Sequence, residues 1–166
     1  VVPFGTYTAV FPLETVKNMT LEIFGEESLK KLPPQDEHLV QHFKKPKSEN
    51  ESITFVNNAY WLQAFANLFD ASVIAGLEDV DDIALNKRHY YSAALYLNPA
   101  LEKSTSPKRY EKRVLVPLGE YIPFSFCQQL AINYGVNGSF TKGEIAKVVS
   151  HEKAPVGASI CYAETF

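Results

Sequence analysis

Lys112, Glu120 and Cys161 are residue types from which a thioester mechanism can be built. Such a mechanism needs a thiolate, a group to take its proton, and positive charge or N–H donors for the tetrahedral oxyanion. Lys112 and Glu120 flank the apolar run Val114-Leu115-Val116, which leads into Pro117-Leu118-Gly119. Three aliphatic residues in a row read as a short buried strand. Pro117 has no N–H for a sheet ladder, so pairing should stop there, and Gly119 is the expected site of positive φ in the turn. Lys112 then opens the strand and Glu120 lies just past its end, where charged side chains can face a cleft. On spacing alone, a solvated Lys and a solvated Glu around an ordinary strand is the plainer reading. Cys161 closes a second strand, read over 156–161, and a lone Cys at a strand end is ordinarily inert core.

The run from Tyr110 to Tyr121, Tyr-Glu-Lys-Arg-Val-Leu-Val-Pro-Leu-Gly-Glu-Tyr, changes that balance. It resembles the Tyr-Asp-Lys-x-His-Leu-Val-Pro-Phe-Gly-Glu-Tyr segment of apolipoprotein N-acyltransferases, a membrane-bound branch of the nitrilase superfamily. Tyr110, Lys112, Leu115, Val116, Pro117, Gly119, Glu120 and Tyr121 match, as does Pro123 just beyond. Val114 replaces the family's His and Leu118 its Phe. Gly157-Ala158-Ser159-Ile160-Cys161-Tyr162 resembles the strand that delivers the family's nucleophile in Cys-Tyr-Glu. Two matches in the right order are far more specific than either alone.

The resemblance implies the chemistry and the fold. A phospholipid acyl chain would move to Cys161 as a thioester, then to the α-amino group of a diacylglyceryl-cysteine at a lipoprotein N-terminus. Lys112 would favour the thiolate and stabilise the oxyanion, aided by the backbone N–H of Tyr162. Glu120 would orient Lys112 or the incoming amine. No cofactor or metal is implied. The fold expected is α/β, a nitrilase-like α-β-β-α sandwich with mixed sheets, incomplete in this chain. The expected location is the bacterial inner membrane, with the catalytic domain on the extracytoplasmic side.

The sequence also departs from the family pattern. Val1-Val2-Pro3 fits the segment after the family's first-strand Glu, so the general base is expected to fall before Val1. A rival alignment through Pro12-Leu13-Glu14 needs an inserted residue, and Glu14 reads more plainly as a first-turn helix acid. Ala163 stands where the family has Glu, with Glu164 next to it. Elements are also expected beyond Phe166. On these grounds the 166-residue chain is expected not to turn over alone. A soluble carbon–nitrogen hydrolase and a non-catalytic nitrilase-like binding module are the alternatives.

Composition bounds the rest. The 166 residues are 46% apolar and 21% charged, enough for a packed domain. A net charge of −3 argues against an extended nucleic-acid face. No apolar run approaches the roughly 18–20 residues of a membrane span, and no signal peptide is visible. Under the resemblance, membrane contact comes through segments absent from this chain. Cys127 and Cys161 make no disulfide framework.

Along the chain, the pattern predicts a helix over 14–24 closed by Gly25, a short helical turn over 26–32, and an exposed loop over 44–51. The span 17–52 reads as an insertion relative to the family. Asn58, Trp61, Leu62, Phe65, Leu68 and Phe69 share a helical face, read as core. A buried strand is expected over 71–77, a solvated charged connection over 78–88, and a second strand over 89–97. After a polar loop and the Lys112 stretch, a short helix is expected over 124–132, with Cys127 turned inward. Strands are expected over 145–149 and 156–161, with His151 exposed between them.

Overall fold

The computed structural model describes Gly5 and residues 8–44, 52–84, 87–99, 108–124, 127, 139–150 and 154–161. Expectations for Val1 to Pro3, 45–51, His151, Tyr162, Ala163 and Glu164 lie outside these residues. The chain is α/β and divides into two compact units, Val1–Ala75 with Leu95–Lys108, and Gly76–Ala94 with Arg109–Phe166.

The first unit holds a three-stranded sheet in the order β1-β3-β2, with β1 Ala9–Pro12, β2 Val40–Lys44 and β3 Ser52–Asn57. Both pairings are antiparallel, and Val56 of β3 sits opposite Phe11 and Val40. Helix α1, Leu13–Phe24, follows β1 directly and ends at Gly25, whose φ of 83° no side chain would favour. A 3₁₀ turn over Glu26–Lys31 comes next, and Leu32-Pro33-Pro34 stops it. Helix α2, Asn58–Phe69, begins at Asn57, whose side-chain oxygen accepts from Tyr60 N–H. Leu13, Val16, Leu39, Val40, Val56, Ala59, Tyr60 and Ala64 form the core of this unit.

The buried face of α2 is not the aromatic one. Ala59, Tyr60, Gln63, Ala64, Ala66 and Asn67 are buried, whereas Phe65 and Phe69 are exposed at 42% and 60%. Three alanines on this face leave room for the larger Tyr60, Gln63 and Asn67. Gln63 donates to the Asn98 carbonyl at 2.8 Å and Asn67 to the Lys31 carbonyl at 2.9 Å. The aromatic rings instead pack along the outside, Trp61 on Phe65 and Phe65 on Phe69, with Phe11 and Phe24 against the ends of the row.

A second sheet has the order β4-β5-β6, with β4 Val73–Ala84, β5 Lys87–Leu97 and β6 Lys108–Glu111. The expected connection over 78–88 is therefore mostly strand. Asp79 and Asp81 share one face of the strand and Val80 lies on the other, an alternation that a period-2 reading would have caught. Strands β7 Val148–Ser150 and β8 Pro155–Gly157 form an antiparallel pair.

Candidate active site

β6 is short because the chain leaves the ladder at Lys112, whose N–H still donates to the Ser92 carbonyl at 2.8 Å. The expected strand over Val114-Leu115-Val116 does not form: these residues are irregular, and Lys112 follows a strand rather than opening one. Residues 117–121 make a tight turn instead, with Leu118 N–H donating to the Tyr121 carbonyl at 2.8 Å. Positive φ falls on Leu118, at 65°, and not on Gly119.

The turn brings Glu120 back to Lys112. Lys112 is 1% exposed, and its Nζ donates to Glu120 Oε1 at 2.7 Å. Glu120 Oε2 accepts from Val116 N–H at 2.9 Å, so both carboxylate oxygens are held. A lysine this buried needs a charged partner to offset the loss of hydration. Neither side chain is the solvated charge of the plainer reading.

Strand alternation explains why the neighbouring residues behave differently. Tyr110 and Lys112 are buried, whereas Arg109 and Glu111 belong to a separate ionic cluster. Arg109 binds Asp79 at 2.7 Å, Asp81 at 2.7 Å and Glu111 at 2.9 Å, and its guanidinium lies 4.8 Å from the centre of the Tyr91 ring. The bonds to Arg109 hold the Asp81 carboxyl below the usual carboxylate range, and the same bonds, Asp81 first, raise the guanidinium. Burial, and then the charges of Asp81 and Glu111, push the Tyr91 phenol up. Asp79, at 6% exposure, and Asp81 are thus ion-paired and not the solvated acids expected. A cavity of about 390 Å³ beside this cluster is lined by His89, Tyr91, Glu111 and Lys147 among others, but not by Lys112, Glu120 or Cys161.

Cys161 comes after β8, which ends at Gly157, so the expected strand does not carry it. Its thiol is exposed and its φ is 53°. The left-handed region costs a residue with a Cβ about 1–2 kcal/mol, and such strain collects at functional positions. No hydrogen bond joins Cys161 to Lys112 or Glu120 among the described residues. Glu14, the rival base, is exposed in the first turn of α1. Cys127 is half-buried, and its N–H bonds to the Phe124 carbonyl at 3.0 Å.

No family model matches the chain. Curated relatives do. The chain is 32% identical to an apolipoprotein N-acyltransferase of Chlamydia caviae over 166 residues, 90% of this chain and 29% of that protein. It is 36% identical to the enzyme of the same name from Chlamydia trachomatis serovar D over 118 residues, 68% of this chain and 21% of that protein. The Chlamydia pneumoniae protein of that name matches at 31% over the whole chain and 27% of its own length. The chain belongs to the apolipoprotein N-acyltransferase family. It spans less than a third of the length of these relatives. Its α/β architecture accords with the nitrilase-like class expected of an apolipoprotein N-acyltransferase. Of the Arg109 cluster, which sequence reading missed, only Glu111 falls within the quoted family motif, opposite its Asp.

Proposed function

We propose that this chain is part of an N-acyltransferase domain of nitrilase type, with Cys161 as nucleophile and the Lys112–Glu120 pair as its electrostatic support. One observation carries the reading. A lysine buried to 1% exposure is bound at 2.7 Å to a glutamate within the run that resembles the family motif. A buried ammonium fixed by one carboxylate is a preorganised positive charge, the kind of group that stabilises a developing oxyanion.

In this reading the Cys161 thiolate attacks the ester carbonyl of a phospholipid. The oxyanion forms near Lys112 and the N–H of Tyr162, and collapses to a thioester as the lysophospholipid leaves with a proton. The α-amino group of a diacylglyceryl-lipoprotein then attacks the thioester. An amide forms, the amine gives up a proton, and the thiolate is regenerated. Glu120 holds Lys112 in place during both halves. The protein would act at the bacterial inner membrane, its catalytic domain on the extracytoplasmic side.

The test is to incubate the full-length protein with acyl-labelled phospholipid and digest it. Label is expected on the Cys161 peptide. Cys161→Ala should carry none, and Lys112→Ala should acylate about 10²-fold more slowly. Acyl transfer that survives in Cys161→Ala would remove the nucleophile assignment. A hydrolase of the same superfamily would release free fatty acid or ammonia without passing label to a lipoprotein amine, and a binding module would take no label.

A further inference from the structure

Residues 140–143 run beside the two segments that carry Lys112 and Glu120, and their backbone bonds to both. Phe140 N–H donates to the Glu120 carbonyl at 2.8 Å, and Gly143 N–H to the Lys112 carbonyl at 3.0 Å. Between them, Thr141 N–H donates to the Tyr90 carbonyl of β5 at 2.6 Å. Lys112 N–H is itself bonded to Ser92 of β5. One four-residue stretch therefore fixes the main chain at both ends of the ion pair and ties it to the central strand of a sheet.

Gly143 is what lets this stretch lie so close. It is buried, and a Cβ built on it would fall 2.6 Å from the Glu111 carbonyl oxygen and 2.7 Å from Glu111 Cβ. The obstacle is main chain and the root of a side chain, which cannot swing aside. Gly119, in the turn between Lys112 and Glu120, differs: its nearest neighbour would be Val116 Cγ1 at 3.7 Å, an ordinary contact.

We propose that residues 140–143 form a clasp that positions the Lys112–Glu120 pair, with Gly143 as the positioning residue. The inference rests on the assignment of Lys112 and Glu120 to the acyl-transfer site. A displaced clasp would free the main chain of Lys112 and Glu120 and move the ammonium relative to the reacting carbonyl. It would leave the residues that do the chemistry unchanged.

The experiment compares Gly143→Ala, Gly119→Ala and Lys112→Ala in the full-length protein. Acetic anhydride labelling, read by peptide mass spectrometry against exposed Lys30, measures protection of Lys112. Gly143→Ala should acetylate Lys112 about tenfold faster. Its kcat for acyl transfer should fall about tenfold to hundredfold while KM for phospholipid holds. Gly119→Ala should leave both readouts as they were. Full Lys112 protection and full kcat in Gly143→Ala would overturn the clasp. If Gly143→Ala exposes Lys112, and neither it nor Lys112→Ala lowers transfer, the clasp stands and the site assignment fails. Should Gly143→Ala not fold, hydrogen exchange in the unsubstituted protein decides. The amides of Phe140, Thr141 and Gly143 should be protected as well as that of Lys112, and exchange at free-amide rates would end the proposal.

Discussion

A lysine ammonium out of water is held by what replaces its hydration, here, among the described residues, the Glu120 carboxylate at 2.7 Å. Lys112→Met should leave Glu120 charged and partly buried, a loss of about 2–3 kcal/mol in urea unfolding after allowing for the 20% exposure of Glu120. Adding Glu120→Gln should restore part of that stability, because a neutral amide oxygen still accepts from Val116 N–H and no charge is stranded. Acyl transfer should stay lost in the double variant, which separates the structural role of the pair from its chemical one. Asp81 gives a pH signature. Its carboxyl is held low in the folded state, so its stabilising effect is complete above the unfolded value of about 3.9 and is lost as pH falls below it. Asp81→Asn should therefore be less stable than the unsubstituted protein at neutral pH, and the gap should narrow in acid melts below about pH 4. At this scale the sequence was legible where a motif fixed the partners. Lys112 and Glu120 stood out through the resemblance. Arg109 did not, because two of its three acids come from distant β4, and Glu111 two residues on gives no signal by itself. Leu118 was missed for a different reason: Gly119 beside it is the residue that normally takes positive φ, yet the bond from Leu118 N–H to Tyr121 sets the strain one position earlier.

Both helices were readable from periodicity, and the end of α1 from Gly25; the cap of α2 at Asn57 comes from the structure alone. Asn57 does more than cap α2. Its oxygen accepts from Tyr60 N–H at 3.0 Å, its amide donates to the His38 carbonyl at 2.7 Å, and it is 1% exposed. Asn57→Ala should cost about 2 kcal/mol, the upper end for a cap, measured as a lowered melting midpoint. Asn57→Asp should cost less at the cap but still lose the bond to His38. Strands β1 to β3 escaped the sequence reading. β3 runs into α2 with no breaker between Asn57 and Asn58, so its alternation is hidden by the helical pattern that follows. In β2 only Val40 is buried, and a strand with one buried residue gives almost no period-2 signal. The reading of the aromatic face of α2 as core holds for Trp61, which packs against the core, and fails for Phe65 and Phe69, which are exposed. Helical spacing shows which residues share a face, not which face is covered, and here the covered face holds three alanines with Tyr60, Gln63 and Asn67.

The two units differ in what they hold: a helix-covered sheet core in Val1–Ala75 with Leu95–Lys108, and every assigned site residue in Gly76–Ala94 with Arg109–Phe166. In the second unit the Cys161 thiol is exposed and bonded to neither Lys112 nor Glu120 among the described residues. Among the described residues no proton acceptor is bonded to this thiol, and general acid–base help is worth about 10²–10⁴ in rate, so these 166 residues alone should take up labelled acyl chains far more slowly than the whole enzyme proposed above. Stoichiometric labelling of the isolated chain within the same time would contradict this. The division into units also has an optical consequence. Trp61 is the sole tryptophan of the chain, and it lies in the first unit, stacked on Phe65 with centroids 5.3 Å apart. Indole emission therefore reports on the helix-covered half alone, while far-ultraviolet ellipticity sums both. A substitution at Lys112 or Gly143 perturbs the half that carries no indole. The distance between the fluorescence midpoint and the ellipticity midpoint of such a variant then measures, without any added label, how tightly the two halves melt together.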